Sequence, residues 1–158
     1  MGPLLKFNLL YRTIRLICCC PCRIFIHSLL RLNYMKNILV VGASSGIGKA
    51  LAELLQGEGH NVMGTYRSNE VSGSQYHYLD VLEDDISLDF LPESLDGLVY
   101  CPGSINLKPF ARLKPAAFEE DYKLQVVGAV KVLQAALKAF KKSESAAVVL
   151  FSTVAVQA

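Results

Sequence analysis

Short apolar runs alternate with longer amphipathic segments along the chain from residue 35 onward. The first run, ILVV at residues 38–41, is rich in β-branched residues and stops at Gly42, which is typical of a strand buried on both faces. The next segment carries apolar residues at i, i+3, i+4, i+7 and i+8, which predicts a helix ending near Gly57 and Gly59. Its apolar stripe consists of Ile47, Ala50, Leu51, Leu54 and Leu55.

The alternation continues downstream. Further strands are predicted at residues 61–66, 75–79, 97–101 and 146–151. The acidic stretch 83–89 is predicted to be a loop or a short surface helix, and a long helix follows Pro115, a residue that a first helical turn accepts. Apolar residues repeat through that helix at Phe118, Tyr122, Val126, Val130, Leu133, Leu137 and Phe140. This order predicts an α/β fold with a parallel sheet and helices on both faces.

Composition and charge narrow the class of protein. A chain of 158 residues with 52% apolar residues can bury one sizeable core, so we expect one domain. The net charge of +2 hides an asymmetry, because residues 1–34 hold 5 of the 16 bases and no acid. The remaining 11 bases face 14 acids, a balance of −3, which gives no reason to expect nucleic acid as a partner.

Cysteine usage indicates a reducing compartment, and we expect the cytoplasm. Cys18, Cys19, Cys20 and Cys22 crowd into one run, whereas a disulfide-stapled secreted domain would spread its cysteines through the fold. A zinc site would need a second ligand pair at suitable spacing, and only His27 lies nearby, so no metal is predicted.

The leading segment, residues 1–34, does not have the pattern of a membrane span. Its longest uncharged runs, 16–22 and 24–30, have 7 residues each, whereas a span needs about 20 apolar residues. We hypothesise that it is a non-native or mis-assigned extension and that the domain, residues 35–158, begins at Met35. The alternative is an organelle-targeting peptide or a membrane-surface helix.

A glycine-rich turn joins the first strand to the first helix. Its sequence, GASSGIG at residues 42–48, has the spacing Gly-x-x-x-Gly-x-Gly. Glycines let a backbone turn tightly and approach a diphosphate, whose charge is met by N–H groups and the positive end of a helix dipole. The candidate cofactor-binding residues here are Gly42, Ser44, Ser45, Gly46, Ile47 and Gly48. With this turn the fold is predicted to be a Rossmann-like doubly wound parallel sheet.

With this motif in this place, the chain resembles the classical short-chain dehydrogenase/reductase family from about Lys36 to its end, over roughly the first half of that family's domain. The resemblance implies hydride transfer between a nicotinamide cofactor and a small-molecule carbonyl or secondary alcohol. It also implies that the sheet is truncated here after its fifth strand and that the complete domain forms a homo-oligomer.

The family places the residue that selects the cofactor after the second strand. This chain has Arg67 there and no acid until Glu70. A base attracts the 2′-phosphate of NADP(H), whereas an acid repels it, so NADP(H) is favoured over NAD(H). The alternative is a solvated surface arginine.

Two later strand ends match the family in part. Asp80 and Val81 correspond to its aspartate-hydrophobic pair beside the adenine, although a loop aspartate that caps a turn is an equal alternative. Where the family has Asn-Asn-Ala-Gly, this chain has Tyr-Cys-Pro-Gly at residues 100–103. Residues 101–103 are candidate cofactor-binding residues: Gly103 keeps a close backbone approach, and Pro102 removes an N–H donor. Cys101 is interpreted as buried and packing-related, with a reactive thiol as the alternative.

The family's catalytic positions are altered or absent. Its helix asparagine aligns with Gln125 and its catalytic serine with Thr153, beside Ser152. A threonine hydroxyl can still polarise a carbonyl oxygen. The Tyr-x-x-x-Lys pair expected beyond that position does not occur in the 158 residues. The chain is therefore interpreted as part of an NADP(H)-dependent oxidoreductase, with a non-catalytic dinucleotide-binding or interaction protein as the alternative.

Overall fold

The computed structural model of the chain describes residues 35–104 and 108–151. The strands are β1 Asn37–Val41, β2 Asn61–Tyr66, β3 Tyr76–Tyr78, β4 Gly97–Tyr100 and β5 Ala147–Leu150. The helices are α1 Gly46–Gly57, α2 Pro115–Tyr122 and α3 Gly128–Phe140, and a π-helical turn, Lys123–Val127, joins α2 to α3. A 3₁₀ turn lies at Phe110–Arg112. The predictions for residues 1–34, Ser152 and Thr153 fall outside the described residues.

All described strand pairs are parallel, in the order β3-β2-β1-β4-β5. Each predicted strand is present to within one residue at either end, and the acidic stretch 83–89 is a loop. The predicted Rossmann-like doubly wound sheet is therefore confirmed. Strand order reverses beside β1, whose neighbours are β2 on one side and β4 on the other, and such a reversal opens a crevice at the carboxyl ends of the strands.

The side chains of β1 alternate between two cores. Leu39 and Val41 pack on one face of the sheet with Val132 of α3, whereas Ile38 and Val40 pack on the other face with Ala52 of α1. The sheet is thus covered by helices on both sides, as parallel sheets require. This arrangement buries β1 at the centre and fixes the direction in which its last residue enters the crevice.

The apolar stripes predicted the helices correctly but the buried faces only in part, since Leu55, Leu133 and Phe140 pack against the cores whereas other members are exposed. Ile47 and Leu54 of the α1 stripe are 63% and 60% exposed, and Val130 and Leu137 of the α3 stripe are about half exposed. The buried helical residues are instead small: Gly48 and Ala52 in α1, and Gly128, Ala129, Val132, Ala136 and Ala139 in α3. Small residues let a helix pack closely against the sheet, and the π-helical turn shifts the periodicity between α2 and α3.

Asp96 ties three strands together at the amino ends of the sheet. Its carboxylate accepts hydrogen bonds from the Asn37 N–H at 2.9 Å and the Ser143 hydroxyl at 2.6 Å. Its backbone bonds to the Asn37 carbonyl and to the N–H of Ala147. The Ser143 hydrogen bond, followed by the Asn37 N–H, lowers the pKa of Asp96 below its ordinary value.

We predict that Asp96→Asn lowers the free energy of unfolding at pH 7 by about 1–3 kcal/mol, because one of the two acceptors becomes a donor. A carboxyl whose folded pKa is lowered stabilises above its unfolded pKa and loses that effect as pH falls through the folded pKa. The difference from wild type should therefore shrink below about pH 4. Urea unfolding at pH 7 and pH 3 measures it, with the exposed Asp89→Asn as control. A pH-independent difference would contradict the assignment.

Strand β5 forms one edge of the described sheet. Val148, Val149 and Leu150 are 45%, 47% and 55% exposed, and β5 is hydrogen-bonded to β4 on one side. An exposed apolar edge strand can pair with another chain.

We therefore predict that the 158-residue chain self-associates as its concentration rises and that Val149→Lys suppresses this, because a lysine on an edge strand opposes further pairing. Light scattering over a concentration series measures the effect. Gln134→Lys adds the same charge on the exposed part of α3 and serves as control. Equal suppression by both variants would point to net charge and against the edge strand.

Candidate functional site

A cavity of about 340 Å³ opens at the carboxyl ends of β1, β2 and β4, beside the reversal of strand order. Residues from the glycine-rich turn, the end of β2 and the loop after β4 line it together. The predicted site residues that line it are Gly42, Ser44, Ser45, Gly46, Ile47, Gly48, Arg67, Val81, Cys101, Pro102 and Gly103. Asp80 and Gln125 are not among its described lining residues.

The glycine-rich turn is held in place by Thr65, at the end of β2. The Gly42 N–H donates to the Thr65 hydroxyl at 3.1 Å, and the Ala43 N–H donates to the Thr65 carbonyl at 2.8 Å. Thr65 is 1% exposed and lines the cavity. Sequence reasoning did not assign it a role. The only signal was a hydroxyl residue after the apolar run of β2, two positions before Arg67 in the chain.

Backbone approach within the turn is close enough to require glycine. Gly42 has φ of +78°, and a Cβ on Gly48 would lie 2.2 Å from the Gly42 carbonyl oxygen. Helix α1 begins there with Ser45 as N-cap, which makes no side-chain capping bond, and its first turn carries no acid. This helix N-terminus therefore offers its N–H groups and dipole to an anion in the cavity.

Arg67 lies at the cavity, half exposed, with its guanidinium 4.0 Å from the Asp80 carboxylate. Asp80 also accepts the Leu82 N–H at 3.0 Å, so it caps a local turn, as one of the two interpretations of this residue proposed. An ion pair at that distance and exposure is weak. Arg67 can therefore turn to a ligand without losing a strong partner.

The loop after β4 forms another wall of the cavity, beside the glycine-rich turn. The Cys101 N–H donates to the Val41 carbonyl at 3.0 Å, which continues the sheet into the cavity. Pro102 packs beside Gly42, and Gly103 has nothing within 4 Å of where a Cβ would stand. Cys101 is partly buried against the core, and burial raises the pKa of its thiol, so the thiol is protonated at neutral pH.

Known proteins with a similar sequence or fold agree with this arrangement. The profile of the NAD dependent epimerase/dehydratase family matches residues 38–158. A short-chain dehydrogenase from Escherichia coli CFT073, solved with NADPH, superposes with a TM-score of 0.64 at 26% identity, over 75% of this chain and 58% of that one. The chain belongs to the short-chain dehydrogenase/reductase family.

Curated relatives of this family member include two enzymes. The 3-alpha-hydroxysteroid dehydrogenase/carbonyl reductase of Comamonas testosteroni is 30% identical over 129 residues, which cover 77% of this chain and 45% of the relative. The PIGF/3-ketodihydrosphingosine reductase fusion protein of Schizosaccharomyces pombe is 31% identical over 126 residues, 68% of this chain and 26% of the relative. The chain thus spans less than half the length of either relative.

The positions that the family uses for catalysis are only partly described in this member. Gln125 lies in the π-helical turn, is exposed, and donates to the Ser104 carbonyl at 3.5 Å. Ser152 and Thr153 lie outside the described residues. No cluster of metal-ligating side chains occurs within residues 35–104 and 108–151, and no helix in these ranges has the length and apolarity of a membrane span.

We predict that Gly48→Ala lowers the free energy of unfolding by about 1–3 kcal/mol, because the added Cβ overpacks the turn. Gly57→Ala is the matched control. Nothing lies within 4 Å of a Cβ at Gly57, the last residue of α1, so alanine there should stabilise by about 0.5–1 kcal/mol. Urea unfolding of both variants tests the pair. Similar shifts of the two midpoints would show that the turn is not tightly packed.

Proposed function

We propose that this chain forms the cofactor-binding part of an NADP(H)-dependent oxidoreductase that transfers hydride between the nicotinamide and a carbonyl or secondary alcohol. One observation carries the proposal: the glycine-rich turn, the N-terminus of α1 and Arg67 line a single cavity at the reversal of strand order. In open α/β sheets this crevice is where ligands bind.

The cavity suits the diphosphate of a dinucleotide. Gly46 and Gly103 line it, and nothing lies within 4 Å of the position that a Cβ would take on either residue. A ligand can therefore come close to the backbone from both walls. The uncapped N-terminus of α1 supplies N–H donors and positive dipole charge where the diphosphate would lie.

Arg67 supports NADP(H) over NAD(H). Its guanidinium would contact a 2′-phosphate on the adenosine ribose, as a charge-assisted hydrogen bond between a fork of donors and phosphate oxygens. Asp80, the acid paired with it, is engaged by the Leu82 N–H and lies 4.0 Å away, so the guanidinium keeps donors free for that phosphate. The Escherichia coli relative solved with NADPH is consistent with this choice.

The chemistry of the complete enzyme would be divided between cofactor and protein. When bound, the nicotinamide supplies or accepts hydride. The hydroxyl of Thr153, together with Ser152, would orient the substrate oxygen, and Gln125 would support proton movement in place of the family's asparagine. The relatives named as a reductase of a 3-keto compound and as a carbonyl reductase support a carbonyl or alcohol substrate.

The second candidate is a non-catalytic dinucleotide-binding protein. Pro102 has no N–H to offer the cofactor, and Gln125 bonds to the Ser104 carbonyl. A longer chain that contains a Tyr-x-x-x-Lys pair beyond Ala158 and oxidises NADPH with a ketone would favour the enzyme. Tight NADPH binding with no turnover of any carbonyl would favour the alternative.

We further propose that the protein acts in the cytoplasm and that the complete domain forms a homo-oligomer. The alternative for location is an organelle or a membrane surface reached through residues 1–34. Fractionation of cells that express the chain with and without those residues distinguishes the two, because only the alternative predicts that their removal changes the fraction in which the chain is found.

We predict that Arg67→Asp weakens NADPH binding about ten- to a hundred-fold while changing NADH binding little, because a charge-assisted contact is lost and an acid faces the 2′-phosphate. Fluorescence titration with both dinucleotides measures the two affinities.

Lys138→Asp is the control for net charge. Lys138 lies in the last turn of α3, next to Ala139, whose carbonyl bonds to Leu95 at the amino ends of the strands. It should leave both affinities unchanged. Equal losses for NADPH and NADH in Arg67→Asp would remove Arg67 from the 2′-phosphate site.

A further inference from the structure

The π-helical turn between α2 and α3 changes the hydrogen bonding of one backbone carbonyl. The Gly128 N–H donates to the Lys123 carbonyl, five residues back, as in a π-helix. In an α-helix the same N–H would donate to the Leu124 carbonyl, four residues back. The π-helical register therefore gives the Gly128 N–H to Lys123 and not to Leu124, and the partly buried Leu124 carbonyl is stabilised by a further donor.

Tyr100, the last residue of β4, supplies a side-chain donor to this carbonyl. Its hydroxyl donates to the Leu124 carbonyl at 2.6 Å, and the residue is 4% exposed. This hydrogen bond runs from the sheet to the helix that covers it. Burial raises the pKa of Tyr100 to about 12. The hydroxyl is therefore a protonated donor over the whole physiological pH range.

Gly128 leaves the space that the hydroxyl occupies. A Cβ on Gly128 would lie 2.5 Å from the Tyr100 Oη and 2.9 Å from the Val81 Cγ2. A side chain of any size at this position would therefore have to displace the hydroxyl, the valine or the helix. The tyrosine at the end of β4 and the glycine at the start of α3 fit each other as a pair.

The pair adjoins the cavity proposed to hold the cofactor. Leu124, Val81 and Cys101 all line that cavity. Leu124 is the residue whose carbonyl Tyr100 binds, and Gln125 follows it in the same turn. A change in the register of the turn would therefore move a wall of the cavity and the exposed side chain of Gln125 together.

We propose that the Tyr100 hydroxyl is a positioning group, which holds the π-helical turn in its register and thereby sets the Leu124 wall of the cofactor cavity. The effect on binding rests on the proposed function, whereas the effect on the turn does not. The sequence of residues 100–103 predicts an altered cofactor loop and indicates no separate role for Tyr100. Tyr100 stands where the family has asparagine, and its hydroxyl fills the space beside Gly128 and bonds to the Leu124 carbonyl.

Tyr100→Phe in the full chain tests the proposal, with Tyr122→Phe as the matched control, since Tyr122 lies on the same helical stretch but is 59% exposed. Amide hydrogen exchange by NMR reports the turn directly. In Tyr100→Phe the turn loses its hydrogen bond to the sheet and should open more often, so the Gly128 amide should exchange about tenfold faster, as expected for the loss of a hydrogen bond of ordinary strength.

Dinucleotide affinity is the second readout. Tyr100→Phe should weaken NADPH and NADH by the same factor, about three- to tenfold, because the wall is common to both and the expected change is about one hydrogen bond or less. Tyr122→Phe should change neither. Faster Gly128 exchange with equal affinity losses supports the proposal. A lower urea midpoint with unchanged Gly128 exchange and unchanged affinities would show a general structural role and overturn it.

Gly128→Ala provides a second, independent arm. The added methyl should displace the hydroxyl, so this variant should show the same affinity losses, and the double variant with Tyr100→Phe should be no worse than Gly128→Ala alone. Additive losses would overturn the coupling between the two residues. A wild-type chain that binds neither dinucleotide overturns the proposed function, and the Gly128 exchange measurement then decides by itself whether the hydroxyl holds the turn.

Discussion

The turn between β1 and α1 is the constraint on which the rest of the site depends. Two amides of that turn are anchored to Thr65 of the neighbouring strand, and Gly48 approaches the Gly42 carbonyl more closely than any other residue type would allow. The anchoring fixes where α1 begins. Because α1 begins without a side-chain cap or an acid in its first turn, its amides and dipole remain directed at the cavity.

The sheet carries this arrangement. Two cores pack against β1, one on each face of the sheet. Asp96 joins β1, β4 and β5 at the amino ends of the strands, away from the cavity. Stability and ligand contact are thus separated between the two ends of the strands, as is usual for open α/β sheets. Among the described residues, the β5 edge is the least covered part of the sheet, because its apolar side chains are about half exposed.

The strands and the glycine-rich turn could be predicted from the sequence because their signals are local: a β-branched run, a glycine spacing and a change of period. The buried helix faces could be predicted only in part. Counting large apolar residues selected Ile47 and Leu54, whereas the close packing of a helix on a parallel sheet uses Gly48 and Ala52. The roles of Thr65 and Tyr100 depend on hydrogen bonds to residues 23 and 24 positions away, which no local pattern encodes.

The central claim is that residues 42–48 bind the diphosphate of a nicotinamide dinucleotide through backbone amides. Titration of the ¹⁵N-labelled chain with NADP⁺, followed by amide chemical shifts, tests it most directly. We expect saturable shifts centred on residues 42–48, with smaller ones in the loop that begins at Cys101 and at Arg67. Shifts confined to other surfaces, such as the exposed side of α3, or no saturable shift in a folded chain, would contradict the account.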